Sequence, residues 1–87
     1  MEIIVWSKRD TYCGDCAATL RILRAKKIPH RVEYLEANPA QIELFRSQNL
    51  LKAPVVMAGE DSWSGFRIDK LAQLSDLYWG TGSQTAN

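Results

Sequence analysis

At 87 residues the chain has room for one domain and none for a second, with a core that removes a little over ~60% of the unfolded surface from water. Eleven lysines and arginines against ten aspartates and glutamates leave a formal net charge of +1, so no field draws it to nucleic acid, an anionic membrane or a strongly acidic partner. The first apolar run holds four residues and nothing resembles a leader cleavage site, which argues against a signal peptide or transmembrane helix and for the reducing cytoplasm.

Ile3-Ile4-Val5-Trp6 is a continuous apolar run of β-branched and aromatic residues, suited to a central strand covered on both faces. A polar loop, Ser7 to Tyr12, leads to Cys13-Gly14-Asp15-Cys16, which holds the two cysteines of the chain. Ala17, Leu20, Ile22 and Leu23, mixed with Arg21, Arg24, Lys26 and Lys27, then predict an amphipathic helix of about three turns. Its basic residues fall at the C-terminus, where cations suit the helix dipole. Ile28-Pro29-His30 ends it, because the residue before proline is pushed out of the α region.

Arg31 to Leu35 alternates as a second strand. Asn38-Pro39-Ala40-Gln41 has a helix-start pattern of Asn cap, proline at the first helical position and glutamine three residues after the cap. That helix runs through Ile42 and Phe45 to about Gln48. Lys52 to Ala58 reads as a third strand entered through Pro54, and Gly59-Glu60-Asp61 as a turn into a short fourth strand at Ser62-Trp63-Ser64. Gly65-Phe66 leads into a last helix carrying Ile68, Leu71, Leu74 and Leu77. Residues 1–79 thus form the domain, and 80–87 hold too few apolar residues to pack and read as a mobile tail.

Two thiols three positions apart close one small disulfide, and a lone Cys-x-x-Cys beside a βαβ pattern reads as a thiol–disulfide redox centre. A durable structural disulfide is unusual in a reducing compartment, which leaves catalysis, redox sensing or metal binding. Zinc needs four ligands, and the two cysteines and His30 fall short, so neither metal nor organic cofactor is expected. At a helix start the unpaired N–H groups and positive dipole end favour an anion, making Cys13 the attacking thiolate and Cys16 the resolving partner. Asp15 between them opposes thiolate formation, so the dithiol is expected to be less acidic than one with an apolar or proline spacer. Lys8 is either a loop charge or a support for the thiolate. Trp63 and Phe66 read equally as core aromatics or, with the Cys13 rim of Tyr12, Gly14 and Asp15, as a shallow apolar surface for a protein partner.

The order β-α-β-α-β-β-α with a dithiol at the first helix resembles the thioredoxin fold in its small glutaredoxin-sized form, an α/β four-stranded mixed sheet flanked by three helices. Cys13-x-x-Cys16, Ala53-Pro54-Val55-Val56 and above all Trp63-Ser64-Gly65-Phe66-Arg67 are similar to the NrdH-redoxins, glutaredoxin-like electron donors to ribonucleotide reductase. The resemblance implies a monomeric dithiol oxidoreductase that reduces protein disulfides, foremost that of ribonucleotide reductase. Thioredoxin reductase would restore its dithiol, with NADPH as the indirect electron source. The resemblance also implies a cis Ala53–Pro54 bond facing the dithiol, where proline alone would only begin a strand. Ala53's backbone would then be open to an extended partner segment.

Ser64, Gly65, Arg67 and Asp69 are implied to support the loop before the last helix, although Arg67 and Asp69 also suit a solvated first turn. Glutathione-dependent glutaredoxins place paired glycines and then paired aspartates there. One aspartate and a bulky Phe66 occupy that stretch here, so glutathione binding is expected to be weak or absent. The spacing from Lys8 to Cys13 is longer than in either family. The alternatives are a glutathione-dependent glutaredoxin and a redox-inactive thioredoxin-fold binding module.

Overall fold

The computed structural model describes residues 1–80, so the expected tail lies, but for Gly80, outside the described residues. The elements follow the expected order: β1 (Ile3–Ser7), α1 (Gly14–Ala25), β2 (Arg31–Tyr34), α2 (Pro39–Ser47), β3 (Val55–Ala58), β4 (Asp61–Ser64) and α3 (Ile68–Trp79). A single-turn 3-10 helix at Leu35–Ala37 separates β2 from α2. The sheet order is β2-β1-β3-β4. β1 pairs parallel with β2, while β3 pairs antiparallel with both β1 and β4.

The central position of β1 follows from its unbroken apolar run, since neither face is solvated. Ile3 and Val5 join Val56, Ala58 and Trp63 on one face, packed against Leu23 within α1, Ile28 just after it, and Leu71 and Leu74 of α3. Ile4 and Trp6 turn to the other face with Val55 and Met57, beneath Phe45 of α2 and Leu35 and Leu50. Trp6 meets Phe45 edge-on, with ring centroids 5.6 Å apart.

Two local expectations are corrected. α1 does not end at Pro29: it stops at Ala25, and Lys27 turns into the left-handed region at φ 55. Lys27 N–H then bonds Arg24 C=O at 3.0 Å and Ile28 N–H bonds Leu23 C=O at 3.0 Å, a Schellman ending. α2 ends likewise, with Asn49 at φ 62 and the Leu50 N–H on the Phe45 C=O at 2.9 Å. In both helices the apolar residue just past the stop packs into the same cluster as its bonded partner. The Asn38 side chain does not cap α2, because its amide donates back to the Tyr34 carbonyl at 2.8 Å. In α3, Leu71 and Leu74 are buried but Ile68 and Leu77 are 58% and 69% exposed. A spacing of three residues drifts around a helix of ~3.6 residues per turn, so the outer pair of that series leaves the buried stripe.

Candidate active site

Cys13 is the N-cap of α1: its backbone is extended at φ −128, ψ 102, and its sulfur accepts the N–H of Cys16 at 3.1 Å. Its carbonyl accepts the N–H of Ala17 at 3.0 Å. The two cysteines are joined as a disulfide with Cα atoms 5.2 Å apart. Cys16 is 3% exposed within the first turn, while Cys13 is half-buried at the surface. A partner therefore reaches Cys13 and not Cys16. The same N–H that caps the helix stays directed at the Cys13 sulfur when the disulfide opens and the sulfur carries charge.

The rim of the dithiol is open. Tyr12 is 89% exposed, and its ring edge lies 3.7 Å from where a Cβ on Gly14 would stand. Facing it, the Ala53–Pro54 bond is cis, as the resemblance implied. Pro54 itself is fully buried, so its ring offers no surface to a partner; its half-buried neighbour Ala53 does. Neither the N–H nor the C=O of Ala53 enters a backbone hydrogen bond among the described residues. The Pro54 carbonyl accepts the N–H of Gly65 at 2.8 Å. Gly65 sits at φ 78, a region that admits glycine freely, and this ties the turn after Ser64 to the cis-proline loop.

A groove of about 660 Å³ runs from the dithiol over the α2 side of the sheet. Cys13, Asp15 and Tyr12 line its mouth, with Lys8, Lys52 and Ala53 beside them. Leu35, Ile42, Phe45, Leu50, Leu51 and Val55 form the apolar part, and Glu36 closes one side. Apart from Lys8, Ala53, Val55 of the same motif and the dithiol rim, the sequence reading assigned none of these wall residues to the site. The helix stop at Asn49 was the available signal, since it turns Leu50 and Leu51 back toward the sheet.

Other expected site residues fall elsewhere. Trp63 is 4% exposed and belongs to the core on the opposite face, so its ring offers no contact surface. Its partner across β3 is Val56, which fixes that side of the sheet. The Trp63 indole N–H has no hydrogen-bond partner among the described residues, and Lys70 lies 5.8 Å from the ring centre. Phe66 is 37% exposed and is the aromatic of that motif that faces outward. Arg67 and Asp69 pair with each other through two hydrogen bonds of 3.1 and 2.8 Å. The Arg67 guanidinium holds the Asp69 carboxyl down at about 2. Lys8 borders the groove and a second cavity of about 350 Å³ on the other side of Cys13. His30 bonds the Ile28 carbonyl at 2.8 Å through Nδ1, away from the dithiol residues. Among the described residues no three His, Cys, Asp or Glu side chains gather as a metal site, and no helix is long and apolar enough to cross a membrane.

The chain is similar to known proteins over most of its length. The glutaredoxin family profile matches residues 3–63. The glutaredoxin-like protein NrdH of Escherichia coli K12 is 34% identical over 74 residues, covering 85% of this chain and 89% of that one. The corresponding Salmonella typhimurium protein is 32% identical over the same shares of both chains. Among solved structures, the Escherichia coli glutaredoxin-like protein NrdH-redoxin superposes with a TM-score of 0.78 at 34% identity, covering 85% of this chain and 95% of its own. That protein is described by a thioredoxin-like activity profile.

Proposed function

Because the chain belongs to the glutaredoxin family, with NrdH proteins as relatives, and is a dithiol–disulfide oxidoreductase, we propose that it works on protein disulfides. Ribonucleotide reductase is the foremost substrate, in a reducing cytoplasm, and thioredoxin reductase renews the dithiol with electrons from NADPH. The observation that carries this reading is the state of Asp69. A glutathione-dependent glutaredoxin uses free carboxylates at this helix start to hold the tripeptide's charged ends, whereas Asp69 is engaged by Arg67 in a 2.8 Å ion pair. The thioredoxin-like activity profile of the Escherichia coli relative points the same way.

The reaction follows from the geometry. The Cys13 thiolate attacks one sulfur of the partner's disulfide, forms a mixed disulfide and releases the partner's second sulfur as thiolate. Cys16, buried behind it, loses its proton and attacks the Cys13 sulfur, closing the Cys13–Cys16 bond and releasing the partner's first sulfur. Two electrons have then passed to the partner, whose two thiolates take up the proton lost by Cys16 and one from solvent. An extended segment of that partner finds the unpaired N–H and C=O of Ala53 beside Cys13, and these accept main chain of any sequence.

NADPH oxidation coupled to a disulfide substrate, run with thioredoxin reductase and separately with glutathione and glutathione reductase, tests the proposal. Turnover is expected in the first system. Activity confined to the glutathione system would overturn the reading. Cys13→Ser removes turnover in both, while Cys16→Ser accumulates the mixed disulfide.

A further inference from the structure

The loop Lys8–Tyr12 carries β1 into the dithiol, and it is longer than the resemblance leads one to expect. Such a loop would leave Tyr12 and Lys8 loosely placed unless something outside it bound the backbone. Glu36 does so. Its carboxylate accepts the Arg9 N–H at 2.9 Å on one oxygen and 3.0 Å on the other, and the Asp10 N–H at 3.0 Å. Among the described residues no other hydrogen bond joins residues 9–12 to the rest of the molecule; the Arg9–Asp10 bond of 3.0 Å is internal to the loop.

The position of Glu36 explains the fit. The parallel ladder of β1 and β2 ends at the pair Ser7 and Tyr34. Arg9 and Glu36 each lie two residues beyond that pair, so the carboxylate continues the pairing where the main-chain ladder stops. The 3-10 turn aims Glu36 across at the loop. The N–H groups of Asp10 and then Arg9 hold its carboxyl below the usual range. Glu36, Lys8 and Tyr12 line the same groove as Cys13.

We propose that Glu36 is a positioning residue for the dithiol loop: by binding the N–H groups of Arg9 and Asp10 it fixes the groove wall that Lys8 and Tyr12 present to a disulfide-bearing polypeptide. It touches neither reacting sulfur. Its effect therefore falls on affinity for an extended protein substrate and spares attack on a small disulfide, which needs only Cys13. This rests on the reading that protein disulfides are substrates, and the test separates the two.

The experiment uses the chemically reduced full chain, without any reductase, on insulin as the protein disulfide and on hydroxyethyl disulfide as the small one. The lost backbone hydrogen bonds loosen the loop, so Glu36→Ala is expected to raise the half-saturating insulin concentration in a single turnover by about three- to tenfold. The saturating single-turnover rate on insulin and the rate with hydroxyethyl disulfide should stay within about twofold. Glu36→Gln, which keeps a carbonyl acceptor, should restore part of the affinity. Equal losses on both substrates, or no loss on insulin, would overturn the assignment. Amide exchange supplies an arm that needs no substrate: Arg9 and Asp10 should exchange slowly in the wild type and fast in Glu36→Ala. Unprotected amides in the wild type would also overturn it. Failure of the wild type to reduce insulin, with the amides protected and released as expected, would sink the protein-disulfide reading while upholding the clamp on the loop.

Discussion

One face of the sheet lies under two helices of 12 residues each, α1 and α3, and its cluster includes Val5, Leu23, Val56 and Leu71 at 0% exposure. The other lies under α2, a helix of 9 residues, and a single 3-10 turn; its buried cluster is Trp6, Phe45 and Val55. The short helix leaves the second face partly uncovered, and the groove of about 660 Å³ occupies that space with Cys13 at its mouth. The dithiol straddles the two. Cys16 sinks toward the closed side while Cys13 stands at the open one, so the same helix start divides the sulfurs into a protected and an available member. On the proposed reading, stability and recognition are thus drawn from opposite faces of one sheet.

That division is open to direct attack. Leu71→Ala on the closed face should cost about 2–5 kcal/mol in urea unfolding, because the residue is fully enclosed by both helices and sheet. Leu51→Ala at the groove, where the side chain is 65% exposed, should stay within about 0.5 kcal/mol yet raise KM for a protein disulfide. A large stability loss at Leu51, or none at Leu71, would break the contrast.

Gly65→Ala tests the tie between β4 and the cis-proline loop. A Cβ there meets only Lys52 side-chain carbons at 3.7 and 3.8 Å, but φ 78 disfavours any L side chain. The left-handed backbone should cost about 1–2 kcal/mol, read as a lowered Tm.

Smaller effects sharpen the picture. Thr19 is buried on the closed side with its hydroxyl unpartnered among the described residues, so Thr19→Val should raise stability by about 1 kcal/mol and leave turnover unchanged. Any fall in stability would show that the hydroxyl is in fact bound. The least effect belongs to the exposed Arg67–Asp69 pair. Asp69 has its carboxyl lowered to about 2, so the pair contributes stability above the unfolded carboxyl value of ~3.9 and loses it as pH falls through the folded value. Urea midpoints of wild type and Asp69→Asn should differ slightly at neutral pH and converge below that value.

Elements and dithiol were legible because their signals are local. Four apolar residues in succession identified a strand covered twice, and Asn38-Pro39 placed the start of α2 even though the Asn side chain turned elsewhere. The first helix stop was misread for lack of a glycine, since Lys27 takes left-handed backbone ahead of Pro29, whereas the second falls at Gln48 as expected, with Asn49 left-handed after it. Trp63 and Phe66 carried no sign of which was inside. Their fates differ because Trp63 stands opposite Val56 on the closed face, while Phe66 lies past the strand's end.

By itself the sequence determined the element order, the central strand and the place of two cysteines at a helix start. Those depend on chain spacing, backbone propensity and the N–H groups of a single turn. Only the tertiary structure decided which aromatic is buried, that a groove opens beside Cys13, and that Glu36 reaches the loop ahead of it. These join residues far apart in the chain, and their contacts exist only once the parallel pairing of β1 with β2 and the short span of α2 have set the distances between them.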